Sequence, residues 1–363
     1  MACGIRTYIA KRGWMGVVAR LLVGAVLIFS SVAKALDPYG TVLKLGEYFH
    51  AMGVEWATSV ATPLAVVLIA TEMLVGAMLL FGGAPKTSAR LALVLNGFFM
   101  LLTLWVAIAN PVAECGCFGD VVRLTNWQTF AKNVVLVALT MVVWVWAEEH
   151  KGCRCMVWVS LVATCGVVLL SIYSLLYLPV VERFPFGVGV NIAEQIAAAN
   201  EHDMEQTFVV CRSRTTGEER TFGVNDSEWW NEELWEFVRV ESPARDGVEV
   251  GVRDFRLSIG KFDITEQVLM APNCRLLCAE NLKTLSAEEI GKMRRIAFDC
   301  MAKGDRVLVV TASSLKVADG LFFGIEYCNM DATALRALLR APVGVVTLQR
   351  GVVKQKLNLA VVE

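Results

Sequence analysis

The sequence predicts a bundle of membrane-spanning α-helices followed by a soluble α/β domain. Five long apolar segments occupy the first half of the chain, and none recurs after Val181. Hydrophobic residues make up 56% of the 363 residues, too large a share for an ordinary soluble protein. Beyond Val252, short apolar runs alternate with segments of helical spacing, a pattern typical of an α/β fold.

Each of the five apolar segments is long enough to cross a bilayer, which takes about 20 apolar residues in a helix. The segments are residues 15–36, 58–82, 88–110, 127–147 and 156–178. The first four predict a four-helix membrane domain over residues 1–150, and the last predicts a fifth transmembrane helix within residues 151–183.

Basic residues predict the orientation of these helices. They cluster before the first segment, between the second and third, and between the fourth and fifth: Arg6, Lys11, Arg12, Arg20, Lys86, Arg90, Lys151 and Arg154. The positive-inside rule therefore places the N-terminus in the cytoplasm. The loops 37–57 and 111–126 and everything beyond residue 180 then lie outside, which for a bacterial inner membrane is the periplasm, where disulfides form. An Ala-x-Ala sequence ending at Ala35 also fits signal-peptide cleavage, an alternative that leaves the later helices in the same orientation.

Two cysteines one residue apart, Cys115 and Cys117, lie between the third and fourth segments. A disulfide needs Cα atoms roughly 4.4–6.8 Å apart, so closing this pair requires a turn, which Gly116 permits because glycine tolerates positive φ. Such a disulfide is expected to be strained and exchange-prone. Two alternatives stay open: unpaired thiols in a turn, and half of a zinc site. Zinc would need more ligands, and the chain has only three histidines, so no metal site is predicted.

Polar residues within the apolar segments mark a second group of candidates. Glu72 lies near the middle of the second segment, whereas Lys34, Lys132 and Asn133 lie in the outer thirds of the first and fourth. The two lysines share a depth with the cysteine loop, where an ammonium group would favour the reactive thiolate. The alternative is that both lysines extend to the membrane interface. For Glu72, a structural partner such as Asn96 or Arg90 and a role in proton handling both stay open.

The first four segments resemble the DoxX-like family and in particular its MauE-type branch. The resemblance rests on the run 20–24 that opens the first helix, the run 31–38 that closes it, the sequence CGCFGD at 115–120, and two later dipeptides, Asn126-Trp127 and Lys132-Asn133. It implies a four-helix core related to quinone-linked disulfide oxidases, and for MauE a role in disulfide formation or maturation of a periplasmic partner.

Carried over by position, the resemblance makes Cys115 and Cys117 the redox pair. Lys34, Asp37 and Asp120 would then be supporting residues beside it. The sequence departs from those oxidases because it lacks a second membrane-embedded cysteine pair for passing electrons to quinone. Cys153 and Cys155 lie on the opposite side in the predicted topology. Quinone is therefore a candidate cofactor rather than an established one.

Residues 184–251 are predicted as a linker with a small β region. Two strands, over 207–211 and 219–223, are expected to pair around Thr216-Gly217. Trp229, Trp230 and Trp235 are expected to pack inward, the alternative being contact with the lipid interface.

Residues 252–363 are predicted as the extracytoplasmic α/β domain. Expected strands lie at 254–257, 275–278, 306–311 and 345–349, with a final strand after the turn at Arg350-Gly351. Ser286 and Glu289 form a capping-box pattern for a helix that Gly304 is placed to end, and a second helix is expected over 332–340.

This order of elements resembles a thioredoxin-like domain of the peroxiredoxin and TlpA kind. The resemblance makes Asp254-Phe255 the first strand and Pro342 the cis-proline. Residues 279–284 hold no cysteine where that family carries its Cys-x-x-Cys, and the terminal helix is missing. Burial explains Cys278 and Cys300 better than catalysis does. The domain is therefore expected to be a redox-inactive module that recognises a partner or covers the cysteine loop.

Five cysteines lie in the predicted external part: Cys211, Cys274, Cys278, Cys300 and Cys328. This odd number leaves at least one unpaired within the chain, and their connectivity is open.

The preferred function is thiol–disulfide exchange by an external dithiol, acting in maturation of envelope proteins. The predicted partners are membrane lipid, a periplasmic thiol protein and a quinone. Net charge is −1 and no basic run occurs, so nucleic acid is not expected. Two alternatives stay open: a non-enzymatic membrane scaffold, and a quinone-linked subunit that uses Glu72 and the bundle interior.

Overall fold

The computed structural model describes residues 2–112, 116, 124–147, 154–179, 185–223, 226–241 and 252–362. The chain divides into two compact units, residues 1–181 and residues 182–363. We call them the first unit and the second unit.

The described part of the first unit contains six α-helices. They are α1 (Ala2–Leu36), α2 (Pro38–Ala51), α3 (Ala61–Phe81), α4 (Pro85–Ala109), α5 (Asn126–Trp146) and α6 (Arg154–Tyr177). All but α2 are long and apolar enough to span a membrane, over residues 14–36, 55–81, 85–109, 126–146 and 155–177. The five predicted spans are confirmed to within three residues at each end.

Helix α2 was not predicted, because the sequence was interpreted as a loop over residues 37–57. Asp37 begins this helix: its carboxylate accepts a hydrogen bond from the Gly40 amide (3.1 Å), and Pro38 occupies the first helical position. A 3₁₀ turn, Glu55–Val60, then leads into α3. Asp37 therefore has a structural role as a helix cap.

A pair of glycines brings α1 and α3 close together. A Cβ atom on Gly24 would lie 3.0 Å from the Gly76 carbonyl oxygen, and one on Gly76 would lie 3.0 Å from that of Gly24. Small residues at such crossings let two membrane helices pack backbone to backbone. Helix α3 also packs on α6, whereas α4 packs mainly on α5.

The second unit starts with a helix, α7 (Ile192–Gln206), and a three-stranded antiparallel sheet. The strands are β1 (Phe208–Ser213), β2 (Glu219–Gly223) and β3 (Trp235–Glu241), in the order β2-β1-β3. The predicted pairing of β1 with β2 is confirmed, with Gly217 at positive φ in the turn. Helix α7 and strand β3 were missed, because this region was interpreted as linker.

The tryptophans of this small sheet divide into two groups. Trp229 and Trp235 pack against a core of Val209, Cys211 and Phe222, as predicted. Trp230 is 66% exposed, so the prediction that it packs inward was wrong.

A seven-stranded sheet forms the rest of the second unit. Its strands are β4 (Ser258–Ile259), β5 (Phe262–Asp263), β6 (Cys274–Ala279), β7 (Arg306–Thr311), β8 (Glu326–Asn329), β9 (Val343–Gln349) and β10 (Val352–Asn358). The helices are α8 (Thr265–Leu269), α9 (Ala287–Ala302), α10 (Leu315–Leu321) and α11 (Ala332–Leu338). The strand order is β10-β9-β6-β7-β8-β4-β5, with β6, β7 and β8 parallel and the other neighbours antiparallel.

Most predicted elements of this sheet are present. Strands β6, β7, β9 and β10 and helices α9 and α11 lie where the sequence placed them, and Ser286 and Glu289 do form a capping box. The predicted first strand at 254–257 was wrong, since a 3₁₀ turn, Val252–Asp254, and a loop occupy that segment. Phe255 and Leu257 are both buried, so apolar and polar residues alternate here as they do in a strand. The segment nevertheless forms no strand of the sheet.

Two further features bear on the expected thioredoxin-like pattern. After β10 the described residues form a 3₁₀ turn, Leu359–Val361. Every described peptide bond is trans, including the one before Pro342, so the predicted cis-proline was wrong.

Candidate functional site

The cysteine motif itself falls largely outside the part of the chain that the structure describes. Cys115, Cys117 and Asp120 lie outside the described residues, whereas Gly116 between the two cysteines is described. Gly116 has φ of 69°, the positive value predicted for it. A Cβ atom there would lie 2.9 Å from Cγ of Lys44, so the backbone at residue 116 packs directly on a side chain of α2.

A buried ion pair joins α1 to α3. Lys34 Nζ donates to both carboxylate oxygens of Glu72, at 2.7 and 2.8 Å, and to Ser30 Oγ at 2.7 Å. Ser30 Oγ in turn donates to Glu72 Oε2 at 2.9 Å. Lys34 is 4% exposed and Glu72 is 1% exposed. The three donors of the ammonium group are thus all used inside the bundle.

This arrangement settles two alternatives. Lys34 does not extend to the membrane interface, because its side chain is buried and paired. The structural partners of Glu72 are Lys34 and Ser30, so the suggestion of Asn96 or Arg90 was wrong. Ionisable groups in a membrane span are costly, and they normally pair or face a cavity. Lys34 and Glu72 pair with each other, and both also face the cavity described below.

A second set of polar contacts joins α4 to α5. Asn96 Nδ2 donates to Thr140 Oγ1 at 3.0 Å, and Asn133 Nδ2 donates to Thr103 Oγ1 at 3.0 Å and to the Phe99 carbonyl at 3.3 Å. Buried amide groups need such partners. Asn133, a predicted supporting residue, therefore helps to fix the packing of these two helices.

A cavity of about 340 Å³ lies inside the first unit, between these two polar groups of residues. Its polar lining consists of Ser30, Lys34, Thr41, Lys44, Tyr48, Glu72, Asn96, Lys132 and Asn133. The remaining lining is almost entirely aliphatic and aromatic, and it includes Leu68 of α3 and Phe99 of α4. Gly116 also lines it. This size and this mixture of many apolar and few polar groups are typical of small-molecule sites.

The cavity thus brings together four of the sequence-predicted positions: Lys34, Glu72, Lys132 and Asn133. Asp37 does not line it. Lys132 is half-buried on α5. Lys34, Lys132 and Gly116 share this lining, whereas Cys115 and Cys117 lie outside the described residues, so the nearness of both lysines to the cysteines stays a prediction.

Sequence reasoning missed Ser30, Thr41 and Lys44 as parts of this site. Ser30 precedes Lys34 by one helical turn, a spacing that places both side chains on one face and could have indicated the contact. Thr41 and Lys44 were missed because helix α2 was missed.

The cysteines of the second unit have a structural role. Cys211, Cys274, Cys278 and Cys328 are buried free thiols, and Cys300 is half-buried on α9. Burial raises the pKa of Cys274 and of Cys328 to about 12 and that of Cys278 still further. Thiols with a raised pKa are poor nucleophiles, because the thiolate is the reactive species. Among the described residues, no group of three or more His, Cys, Asp or Glu side chains could hold a metal ion.

Residues 12–147 match the family model described as methylamine utilisation protein MauE. The chain is similar to that family over this segment, which is less than half of its length. The segment contains every residue named above for the cavity, while α6 and the second unit lie beyond it. No curated protein and no solved structure matches the chain. With five apolar helices in the described residues, the chain is a multi-pass membrane protein carrying a MauE-type segment.

Proposed function

We propose that the chain carries out thiol–disulfide exchange through Cys115 and Cys117. The observation that supports this most is the position of Gly116, the residue between the two cysteines, against Lys44 and on the lining of the cavity that also contains Lys34 and Lys132. Ammonium groups near a thiol favour its thiolate form, which is the nucleophile of the exchange reaction, although pairing with Glu72 and Glu47 weakens this effect for Lys34 and Lys44.

The exchange conserves electrons between two dithiol–disulfide pairs. One thiolate of the reduced pair attacks a partner disulfide and releases one partner thiolate, forming a mixed disulfide. The second thiolate of the pair then attacks that mixed disulfide, closes the Cys115–Cys117 bond and releases the second partner thiolate. The reverse sequence oxidises a partner dithiol.

The proposed partner is a periplasmic thiol protein that requires disulfide formation or maturation. In the proposed inner-membrane topology, residues 37–57 and 111–126 lie on the periplasmic side, where disulfides can form. The family name of the matching segment refers to methylamine utilisation, so a periplasmic protein of that process is the substrate we propose.

The second unit is proposed to be a thioredoxin-like module that recognises this partner. Its strands β7-β6-β9-β10 are adjacent in that order, with β6 and β7 parallel and β9 and β10 antiparallel, which supports this interpretation. Residues 279–284 hold no cysteine, and the nearby thiols are buried. Recognition rather than exchange is therefore the role assigned to it.

A quinone-linked reaction is the second candidate, and the cavity favours it. A scaffold needs no space of about 340 Å³ next to a buried ion pair, whereas a subunit that binds a membrane-dissolved acceptor does. In that case the dithiol would pass two electrons and two protons to a quinone, giving the disulfide and the quinol.

The test is the redox state of Cys115 and Cys117 in native membranes, measured by acid quenching, differential alkylation and mass spectrometry across a graded thiol buffer. We expect a disulfide that forms and opens reversibly.

The Cys117→Ala variant is expected to accumulate a mixed disulfide with the partner, and Cys165→Ser on α6 serves as the matched control. A pair that stays reduced throughout, or a Cys115→Ser/Cys117→Ser variant with full activity, would support the scaffold instead. Loss of activity in Glu72→Gln combined with an active double cysteine variant would instead support a quinone-linked subunit that works through Glu72 and the bundle interior without the dithiol.

A further inference from the structure

Thr41 presents a buried hydroxyl group to the cavity without a hydrogen-bond partner. It lies on α2, is 6% exposed and lines the cavity. Within the part of the chain that the structure describes, Thr41 Oγ1 accepts and donates no hydrogen bond. A buried hydroxyl left unpaired is unfavourable, so an arrangement of this kind indicates a ligand group that supplies the missing hydrogen bond.

The lysines of the cavity are already engaged. Lys34 uses its three donors on Glu72 and Ser30, Lys44 pairs with Glu47 at 2.9 Å, and Lys132 also has an interaction partner. An anionic head group would have to displace one of these carboxylates. The hydroxyl of Thr41 instead offers one donor to a neutral acceptor such as a carbonyl oxygen.

The apolar part of the lining reaches the surface between α3 and α4. Leu64 and Leu68 of α3 line the cavity, as do Phe98 and Leu102 of α4. Leu64 is 41% exposed and Phe98 is 58% exposed, in helices long and apolar enough to cross a membrane. Helices α3 and α4 contact each other less extensively than α3 contacts α1 and α6 or α4 contacts α5, so these exposed lining residues mark the side on which entry from the lipid is expected.

We propose that this cavity is the binding site of a lipid-soluble quinone, which enters sideways between α3 and α4 and places a ring carbonyl on the hydroxyl of Thr41. The Lys34–Glu72 pair forms the neutral polar end of the site, and the leucine and phenylalanine side chains surround the ring and tail. The choice of a quinone among neutral carbonyl compounds rests on the proposed function, since oxidation of the dithiol needs an acceptor of two electrons and two protons.

Binding is tested directly on the purified full chain in detergent. The probe is a radiolabelled benzoquinone with a decyl side chain, measured by equilibrium binding. We expect one saturable site in the unmodified chain and in the Cys115→Ser/Cys117→Ser variant, since the proposed contacts do not involve the thiols.

Two pairs of matched variants locate the probe. Thr41→Val removes the donor at nearly constant volume and is expected to weaken binding about three- to tenfold, the effect of one hydrogen bond, whereas Thr41→Ser keeps the hydroxyl and the affinity. Leu68→Trp fills the proposed entrance and is expected to weaken binding at least about tenfold. Val67→Trp, one residue earlier and 59% exposed outside the cavity lining, is expected to bind normally.

Three results would overturn the proposed site: no saturable binding to the unmodified chain, equal weakening by Thr41→Val and Thr41→Ser, or equal displacement of the probe by decane or decanoate. Failure of the proposed function gives a different result. In that case the double cysteine variant would stay fully active while the binding pattern of the Thr41 and Leu68 variants held.

Discussion

The pair of Lys34 and Glu72 fixes α1 against α3 through charges that the bilayer interior would otherwise penalise. Removing one partner leaves the other charge buried without compensation, which typically costs about 3–5 kcal/mol. We therefore expect Lys34→Met and Glu72→Met each to lower the free energy of unfolding by about that amount. The double variant Lys34→Met/Glu72→Met is expected to be close to the unmodified chain, because it leaves no uncompensated charge.

Unfolding of the purified protein in mixed micelles by a denaturing detergent measures these differences, with Ser30→Ala as a control that keeps the two charges together. Additive losses in the double variant would contradict the assignment, since two residues that did not interact would lose stability independently.

These residues also show how far single-residue prediction reaches. Glu72 and Lys34 could be identified from the sequence because a charge in an apolar segment is rare. Their contact with each other could not be predicted, since they are 38 positions apart in the sequence and only the packing of α1 on α3 brings them together. Asn133 was likewise identified without its contact to Thr103.

The loop at Gly116 and helix α2 fit together through a position where only glycine avoids strain. A side chain at residue 116 would face a positive φ, which costs L-residues roughly 1–2 kcal/mol, and would displace Lys44. We expect Gly116→Ala to lower the thermal unfolding midpoint and to lower the rate of exchange at the neighbouring cysteines.

The matched control is Gly97→Ala on α4, where a Cβ atom would meet nothing within 4 Å. Alanine has a higher helix propensity than glycine, so that substitution is expected to leave stability unchanged or to raise it. If Gly116→Ala proved as stable and as reactive as Gly97→Ala, the contact between residue 116 and α2 would have no part in positioning the cysteines.

Among the secondary-structure elements, those with strong local signals were predicted well. The capping box at Ser286 and the continuous apolar runs of β6, β7 and β9 are short-range features, and they were identified within a few residues. Helix α2 was missed because its polar residues Lys44 and Glu47 broke the apolar pattern that marks a span. The burial of Phe255 and Leu257 was interpreted as a strand, since periodicity reports burial and not ladder pairing.

Taken as one molecule, the described residues hold cysteines in two kinds of environment. Cys155 and Cys165 on α6 are exposed, whereas those in the large sheet of the second unit are deeply buried. The positions of the five spans were predictable from the apolar segments of the sequence. The cavity was not, because its lining comes from side chains of α1 to α5 that are far apart in the sequence.

The buried thiols of Cys274, Cys278 and Cys328 in the second unit are expected to resist alkylation at any pH below about 9. Burial raises the pKa of Cys274 and of Cys328 from the ordinary value of 9.0 to about 12. At pH 8 the thiolate fraction is therefore roughly 10⁻⁴, and the labelling rate falls in proportion. In the unfolded chain these thiols ionise near their ordinary pKa, so stability is full below pH 8 and falls as pH rises towards 12.

Mass spectrometry after a timed pulse of iodoacetamide on the native protein measures this, with half-buried Cys300 as the internal control and unfolded protein as the reference for full labelling. We expect Cys300 to be labelled and Cys274, Cys278 and Cys328 to be protected. Labelling of Cys274 or Cys328 at neutral pH would mean that the second unit opens readily and could carry exchange chemistry of its own. Their protection would leave Cys115 and Cys117 as the pair through which the proposed exchange must run.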